Sequence, residues 1–245
     1  MLSKLNFHPR DSKIIKLPKG YQIESFDKPS IRVTTLVHKW FNEFNSDLVI
    51  DNMMNSKKWK DSKYFGRSKD DIKMEWSKNG EEAAKLGTLL HEDIERFFND
   101  EKVLNEDTVE FGYFVNFWEE FKLKNPQFNV YRTEWTVYDE DKNVAGTIDC
   151  VLADENDNMV ILDWKRSKEI KTQNFFEKGF GPFSDMDNCN YNHYRIQLNI
   201  YRSILERKYD KNVVGMFIVV LNPINSGFLM YEMKRKSLNK MWDLI

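Results

Sequence analysis

Between Gly146 and Lys168 the chain reads "GTIDCVLADENDNMVILDWKRSK". Two short apolar runs, Ile148–Ala153 and Met159–Leu162, flank the polar loop "DENDN", Asp154 to Asn158. Short apolar runs bounded by turn residues predict a β-hairpin. A five-residue loop pairs Ala153 with Met159, and that register sets Asp149 opposite Asp163. Residues directly opposite in an antiparallel pair point to one face, and Lys165, two residues further on, points there too. Two carboxylates 4 Å apart repel by about 4 kcal/mol at an effective dielectric constant near 20. A divalent cation between them turns that repulsion into attraction, and oxygen ligation suits Mg²⁺ or Mn²⁺. Lys165 then stands beside the ion, able to hold a water or a phosphate oxygen.

Outward from this hairpin the pattern divides the chain. "FNVYRTEWTVYDED" (128–141) and "NVAGTIDCVLA" (143–153) predict strands before it. A long polar and aromatic loop (169–190), a helix (191–209) and two more strands (213–222 and 227–235) follow. Upstream, residues 31–125 carry helical spacing. Leu36, Trp40 and Phe44 recur at fourfold steps, as do Leu86, Leu90 and Ile94 in a predicted helix over 79–100. A further predicted helix over 107–125 is closed by Pro126, since the residue before a proline avoids helical backbone. Residues 1–30 hold three of the six prolines and predict an arm with one strand. The expected organisation is that arm followed by one domain over 31–245, with a helical part (31–125) and a sheet core (126–245). The fold class is α+β, or mixed α/β, with a central sheet flanked by helices.

The bulk numbers narrow the function. Of 245 residues, 37 are basic and 39 acidic, for a net charge of −2. A protein that coats nucleic acid by its overall charge is excluded, while a local basic track is not. Two cysteines, Cys150 and Cys189, cannot build a disulfide framework or the four-thiolate cage of an iron–sulfur cluster. Cys150, in mid-strand, reads as an inert core thiol. No stretch approaches the roughly 18 apolar residues of a membrane span, and the N-terminus lacks the apolar run of a signal peptide. The expectation is a soluble intracellular protein with no membrane partner.

Two more constellations bear on the hairpin. "KLGTLLHEDIE" sets Gly87, His91 and Glu95 at four-residue steps on one helix stripe, with Gly87 expected to admit another backbone one turn before His91. "YRIQLNIYRSIL" sets Gln197 and Tyr201 four apart, beside a buried stripe of Ile200, Ile204 and Leu205. The ordered series G-T-x-x-H, E, G-T-I-D, D-W-K and Q-x-x-x-Y resembles the PD-(D/E)XK nuclease superfamily. Within it, the likeness is to the RecB-like branch, and there to mitochondrial genome maintenance exonucleases and related proteins of large DNA viruses. It runs from about Ser30 to Pro223.

That resemblance implies a restriction-endonuclease-like core and metal-dependent cleavage of DNA phosphodiesters. It implies that Asp149 and Asp163 bind metal and that Lys165 is the catalytic lysine. His91 is implied as an extra ligand, with the carbonyl of Trp164 completing the set. Gln197 and Tyr201 match the helix that supports the site, and Glu134 of "YRTEW" matches an acid on the first strand. Ile148 stands where the family's proline would be, and Asp163 where Glu is common. The cluster-forming cysteines of some relatives are absent, so Mg²⁺ or Mn²⁺ without an iron–sulfur cluster is expected. The implied activity is an exonuclease on single-stranded DNA ends or flaps, with replication, repair or recombination proteins as partners. The alternatives are an endonuclease or RNase on the same fold, or a non-catalytic nucleic-acid-binding scaffold. The loop from Thr172 to Tyr194 carries Phe175, Phe176, Phe180 and Phe183 near Lys168, Lys171 and Lys178. Aromatics beside cations can stack bases and follow a backbone, so Phe176 and Phe180 are candidate substrate contacts. Gly179 and Gly181 are expected to act as hinges.

Overall fold

The computed structural model describes all 245 residues. The first elements are α1 (Leu2–Leu5), a 3₁₀ turn (Pro9–Lys13), β1 (Ile14–Leu17), β2 (Gly20–Ile23) and β3 (Ile31–Arg32). The helices α2 (Val33–His38), α3 (Ser46–Met54), α4 (Lys69–Phe98) and α5 (Val109–Lys124) come next. The remainder is β4 (Asn129–Asp139), β5 (Val144–Ala153), β6 (Asn158–Lys165), α6 (Asn190–Lys208), β7 (Asn212–Val220), β8 (Leu229–Glu232) and α7 (Asn239–Trp242).

The principal sheet has six strands. β5 pairs antiparallel with β4 along one edge and shares its other edge between β6, antiparallel, and β3, parallel. β6 runs parallel to β7 through the crossover α6, and β8 closes antiparallel on β7. It is thus a mixed sheet with helices on both faces, a restriction-endonuclease-like arrangement. Alternation along β6 builds the two cores. Met159 and Ile161 face the core that holds Ile196, Ile200 and Ile204 of α6. Val160, Leu162 and Trp164 face the core that holds Phe111, Phe114, Phe117 and Phe121 of α5.

Two compact units are present. One comprises Met1–Asn42 and Leu90–Ile245 and contains the sheet; the other is Glu43–Leu89. The second has its own small core of Ile50, Tyr64 and Ile72, with Met53, Met54, Trp59 and Trp76 against it.

Several local expectations need correction. α2 stops at His38, short of the Phe44 that its fourfold spacing reaches; the short helix predicted from Ser46 onward is present as α3, where Asn45 accepts the Leu48 N–H. α4 begins ten residues earlier than its apolar stripe indicates. Ser68 accepts the N–H of Asp71 and donates to its carboxylate, a serine–acid start signal. The helix then runs through Asn79-Gly80, which reads as a turn but costs a helix only about 1 kcal/mol. Residues 1–30 hold a two-stranded hairpin, β1–β2, rather than a single strand. The segment is strapped to β4: Asp11 accepts from Arg132 at 2.7 Å and from the Trp135 indole at 3.0 Å. Arg10 adds an ion pair to Glu140 and a bond to the Tyr138 carbonyl.

Candidate active site

The hairpin pairs Ala153 with Met159 through Cys150 with Leu162, where the ladder ends; beyond it the Trp164 N–H turns to the Asp149 carboxylate. On the other edge of β5, the pairs Thr133–Cys150 and Trp135–Ile148 flank Glu134 and set it opposite Asp149. Glu134 has φ +44°, a left-handed backbone that costs a residue with a Cβ about 1–3 kcal/mol. Strain of this size in mid-strand is held only by the surrounding ladder. Asp11 ties Arg132 and Trp135, the residues on either side of this twist.

His91, at the start of the last third of α4, closes the group. Its Nδ1 lies 3.6 Å from Asp149 Oδ2 and 3.9 Å from Glu134 Oε1. One ligand atom from each of His91, Glu134 and Asp149 lies within 4.8 Å of the other two. The Nε2 of His91 is 3.0 Å from the carbonyl oxygen of Trp164. A carbonyl only accepts, so Nε2 carries the proton and Nδ1 is the nitrogen that faces the two carboxylates and offers a lone pair to an ion. Asp149 is oriented in turn by the Trp164 N–H, which donates to Oδ2 at 2.9 Å. Trp164, named for its carbonyl, therefore touches both His91 and Asp149 through its backbone, while its ring lies in the α5-side core.

Asp163 and Lys165 form a second layer on the α6 side of the sheet. They are a buried ion pair. Asp163 also accepts from Gln197 Nε2 at 3.3 Å. Burial pushes Asp163 up to about 6, against the pull of the Lys165 ammonium and with a further push from Asp149. Burial lowers Lys165, but Asp163 and Asp149 outweigh it and hold the ammonium above its ordinary value. Burial, then the Asp149 charge, pushes Glu134 up to about 7, with His91 and Lys16 opposing. Carboxyls pushed upward by burial and by one another mark a place where positive charge is wanted.

The expected residues thus fall into sets. His91, Glu134 and Asp149 converge, with Asp163, Lys165 and Gln197 beside them; Asp163 is not in the trio. Tyr201 is buried behind the site, its hydroxyl raised by burial and by the charges of Asp163 and Asp149. Its ring lies on β5 at Gly146, where an added Cβ would meet Tyr201 at 2.8 Å. That close approach, not one at Gly87, is what glycine permits here: a Cβ at Gly87 would meet nothing within 4 Å. Glu95 lies one turn beyond His91, lining a polar cleft with Arg96, Asn99 and Thr133, and burial raises its carboxyl.

The aromatic loop divides clearly. Phe175 and Phe176 are 86% and 95% exposed, Phe180 is 43% exposed, and Phe183 is 1% exposed. Phe183 packs on Trp40 and Phe41. Gly179 is no hinge: a Cβ there would lie 2.7 Å from Phe41 and 2.8 Å from the Phe183 carbonyl. Gly179 donates to Met186 and Phe180 to Trp40, each at 2.9 Å. Asn174 accepts the Phe176 N–H and donates to Asn188. The loop is pinned, with two free rings at its tip.

Two neighbours of the site carry no clear signal in the sequence. Tyr194, whose ring lies 4.9 Å from the Lys165 ammonium, precedes Gln197 by three, a spacing that sets both on one helix face. Lys16 reaches within 3.7 Å of Glu134; nothing in its flanking residues points there, since the strap of residues 1–30 on β4 brings it into place.

The PD-(D/E)XK nuclease superfamily model matches residues 13–241, and the chain belongs to that superfamily, whose members are in general divalent-metal-dependent nucleases. No curated protein matches it. Among solved structures, the crystal structure of SSO0001 is 14% identical, covers 96% of this chain and 74% of its own, and superposes with a TM-score of 0.36. At that distance the likeness says nothing about function. No helix is long and apolar enough to cross a membrane.

The donors fit a divalent cation. Two carboxylates and one imidazole, with no thiolate, are hard and borderline donors that such an ion accepts.

Proposed function

We propose that the chain is a divalent-metal-dependent deoxyribonuclease, acting as an exonuclease on single-stranded ends or flaps. In this reading it stands with the RecB-like members, near the mitochondrial genome maintenance exonucleases and their relatives in large DNA viruses. Its partners are DNA and the proteins of replication, repair or recombination. The observation that carries the reading is the convergence of His91, Glu134 and Asp149 beside a lysine held charged by Asp163.

His91, Glu134 and Asp149 would hold Mn²⁺ or Mg²⁺, which when bound would supply Lewis-acid chemistry and charge neutralisation at the scissile phosphate. The chain's own residues do the rest. Lys165 keeps its proton on Nζ because Asp163 and Asp149 outweigh its burial, and so offers a fixed positive charge to the charge that develops on phosphorus. Gln197 holds Asp163 from the far side, and Tyr194 covers the ammonium. Trp164 keeps the His91 proton on Nε2, away from the ion. Phe175 and Phe176 stack unpaired bases, Phe180 less so because it is half-covered.

The test is a time course on 5′- and 3′-labelled single strands, duplexes, closed single-stranded circles and RNA, with Mn²⁺ or Mg²⁺. Linear single strands should shorten from an end while circles persist. Asp149→Asn should abolish cleavage, and His91→Ala should reduce it and shift the Mn²⁺/Mg²⁺ preference. Cleavage of circles would make it an endonuclease; undiminished turnover by Asp149→Asn would overturn the site.

A further inference from the structure

The unit Glu43–Leu89 carries a feature that the active site does not use. Residues 56–67, "SKKWKDSKYFGR", contain five basic residues against one acid, in a chain whose net charge is −2. Of the cations nearby, Lys69 pairs with Asp51 and Lys73 with Asp47, and within the segment Arg67 pairs with Glu75. Lys57, Lys58, Lys60 and Lys63 are exposed and make no ion pair. Interleaved with them are Trp59, half-buried, and Phe65, 54% exposed, whose rings meet edge to face at 5.9 Å.

The segment is ordered before any ligand arrives. Successive turns fold it, with Trp59 donating to Ser56, Ser62 to Trp59, Phe65 to Ser62 and Arg67 to Tyr64. Tyr64 is the anchor: it is buried with Ile50 and Ile72, and its hydroxyl accepts the Trp76 indole N–H at 2.8 Å. Four exposed lysines without a carboxylate partner, one of them (Lys63) over the Tyr64 ring at 4.7 Å, and an exposed ring on the same ordered segment match a polyanion that also offers flat apolar faces. Single-stranded nucleic acid is such a ligand: lysines follow phosphates and an aromatic ring stacks a base. In duplex DNA the base faces are already stacked, so Phe65 would gain nothing there.

We propose that this face of the Glu43–Leu89 unit is a nucleic-acid-binding surface. It takes the backbone of a single strand on Lys57, Lys58, Lys60 and Lys63 and a base on Phe65. The choice of a nucleic acid as the polyanion rests on membership of the nuclease superfamily, and none of these residues belongs to the catalytic group.

The experiment uses the full chain in EDTA, where cleavage cannot occur. Anisotropy of a labelled 20-nucleotide oligo(dT) is titrated from 50 to 300 mM salt. A variant with all four lysines changed to Gln should lower the slope of log Kd against log salt by about 3, at about 0.7 for each single-strand phosphate that is no longer neutralised. Phe65→Ala should weaken binding about tenfold with the slope unchanged, as removal of a stacking ring does. Changing the four lysines to Arg should preserve the slope, and thermal melts should match the parent. A slope change below one for the Gln variant, or no oligo(dT) binding by the parent protein, overturns the proposal. So does loss of binding to anionic phospholipid vesicles while oligo(dT) binding persists, which would make the face a membrane contact. Loss of all cleavage in the Mn²⁺ assay, with these binding results intact, would fault the nuclease reading and leave this surface standing.

Discussion

Glu134→Gln, measured without metal, tests the electrostatics of the site most directly. In the fold the Glu134 carboxyl is pushed up to about 7 by burial and by Asp149, against its ordinary 4.5. A carboxyl whose folded pKa exceeds its unfolded value favours folding while it is protonated. That contribution is complete below pH 4.5 and is lost as pH rises through 7. A displacement of about 2.5 units at about 1.4 kcal/mol each amounts to roughly 3 kcal/mol. For a chain of this size, 1 kcal/mol moves Tm by about 2–4 °C. Gln keeps the shape of the protonated acid and never ionises. The metal-free Glu134→Gln variant should therefore match the parent near pH 4 and exceed it by about 6–12 °C at pH 8. Saturating Mn²⁺ should reverse the order at pH 8, since ligand at about 1,000 times its Kd adds about 4.1 kcal/mol and the variant has lost a ligand. Scanning calorimetry from pH 4 to 8 in EDTA, then in Mn²⁺, reads both effects. A Tm difference independent of pH, or a variant less stable than the parent at pH 8 in EDTA, would refute the argument.

Lys165→Met should leave Asp163 buried without its cation and cost about 3–5 kcal/mol at pH 8. The cost should be less at pH 5, where Asp163 can hold a proton. Adding Asp163→Asn should restore most of the loss in denaturant unfolding, and a double variant no better than the single would contradict the pairing. At the loop, Phe175→Ala and Phe176→Ala should each weaken oligo(dT) binding by about 1–3 kcal/mol with Tm unchanged, because both rings are free. Phe183→Ala should do the opposite, losing about 3–5 kcal/mol of stability as buried Phe truncations do with affinity retained. Unchanged binding by both tip variants would reduce the loop to packing.

Much of this arrangement was legible in the chain itself, because the signals were local. A five-residue loop between two apolar runs determines the register of its own hairpin, so the pairing of Ala153 with Met159 followed from the sequence. Period-two alternation then put Asp163 and Lys165 on one face, and helical spacing put Gln197 and Tyr201 on another. What the sequence left open depended on contacts between distant segments. The second carboxylate beside His91 is Glu134 rather than Asp163, because β4 pairs with the far edge of β5 and Glu134 adopts a left-handed backbone there. Neither the pairing partner of a strand nor a strained φ at a glutamate is encoded in the residues next to it. Asp163, by contrast, is neutralised from within its own strand by Lys165, a short-range pairing whose consequence shows only once burial is known. Lys16 and Gly146 belong to the same class. One reaches Glu134 because Asp11 and Arg10 strap the first residues onto β4, and the other matters because a tyrosine from α6 packs against its backbone. Spacing within one element decided which side chains share a face. Only the packing of elements far apart in the chain decided which faces meet, since that is set by the burial of whole cores rather than by any single stretch of residues.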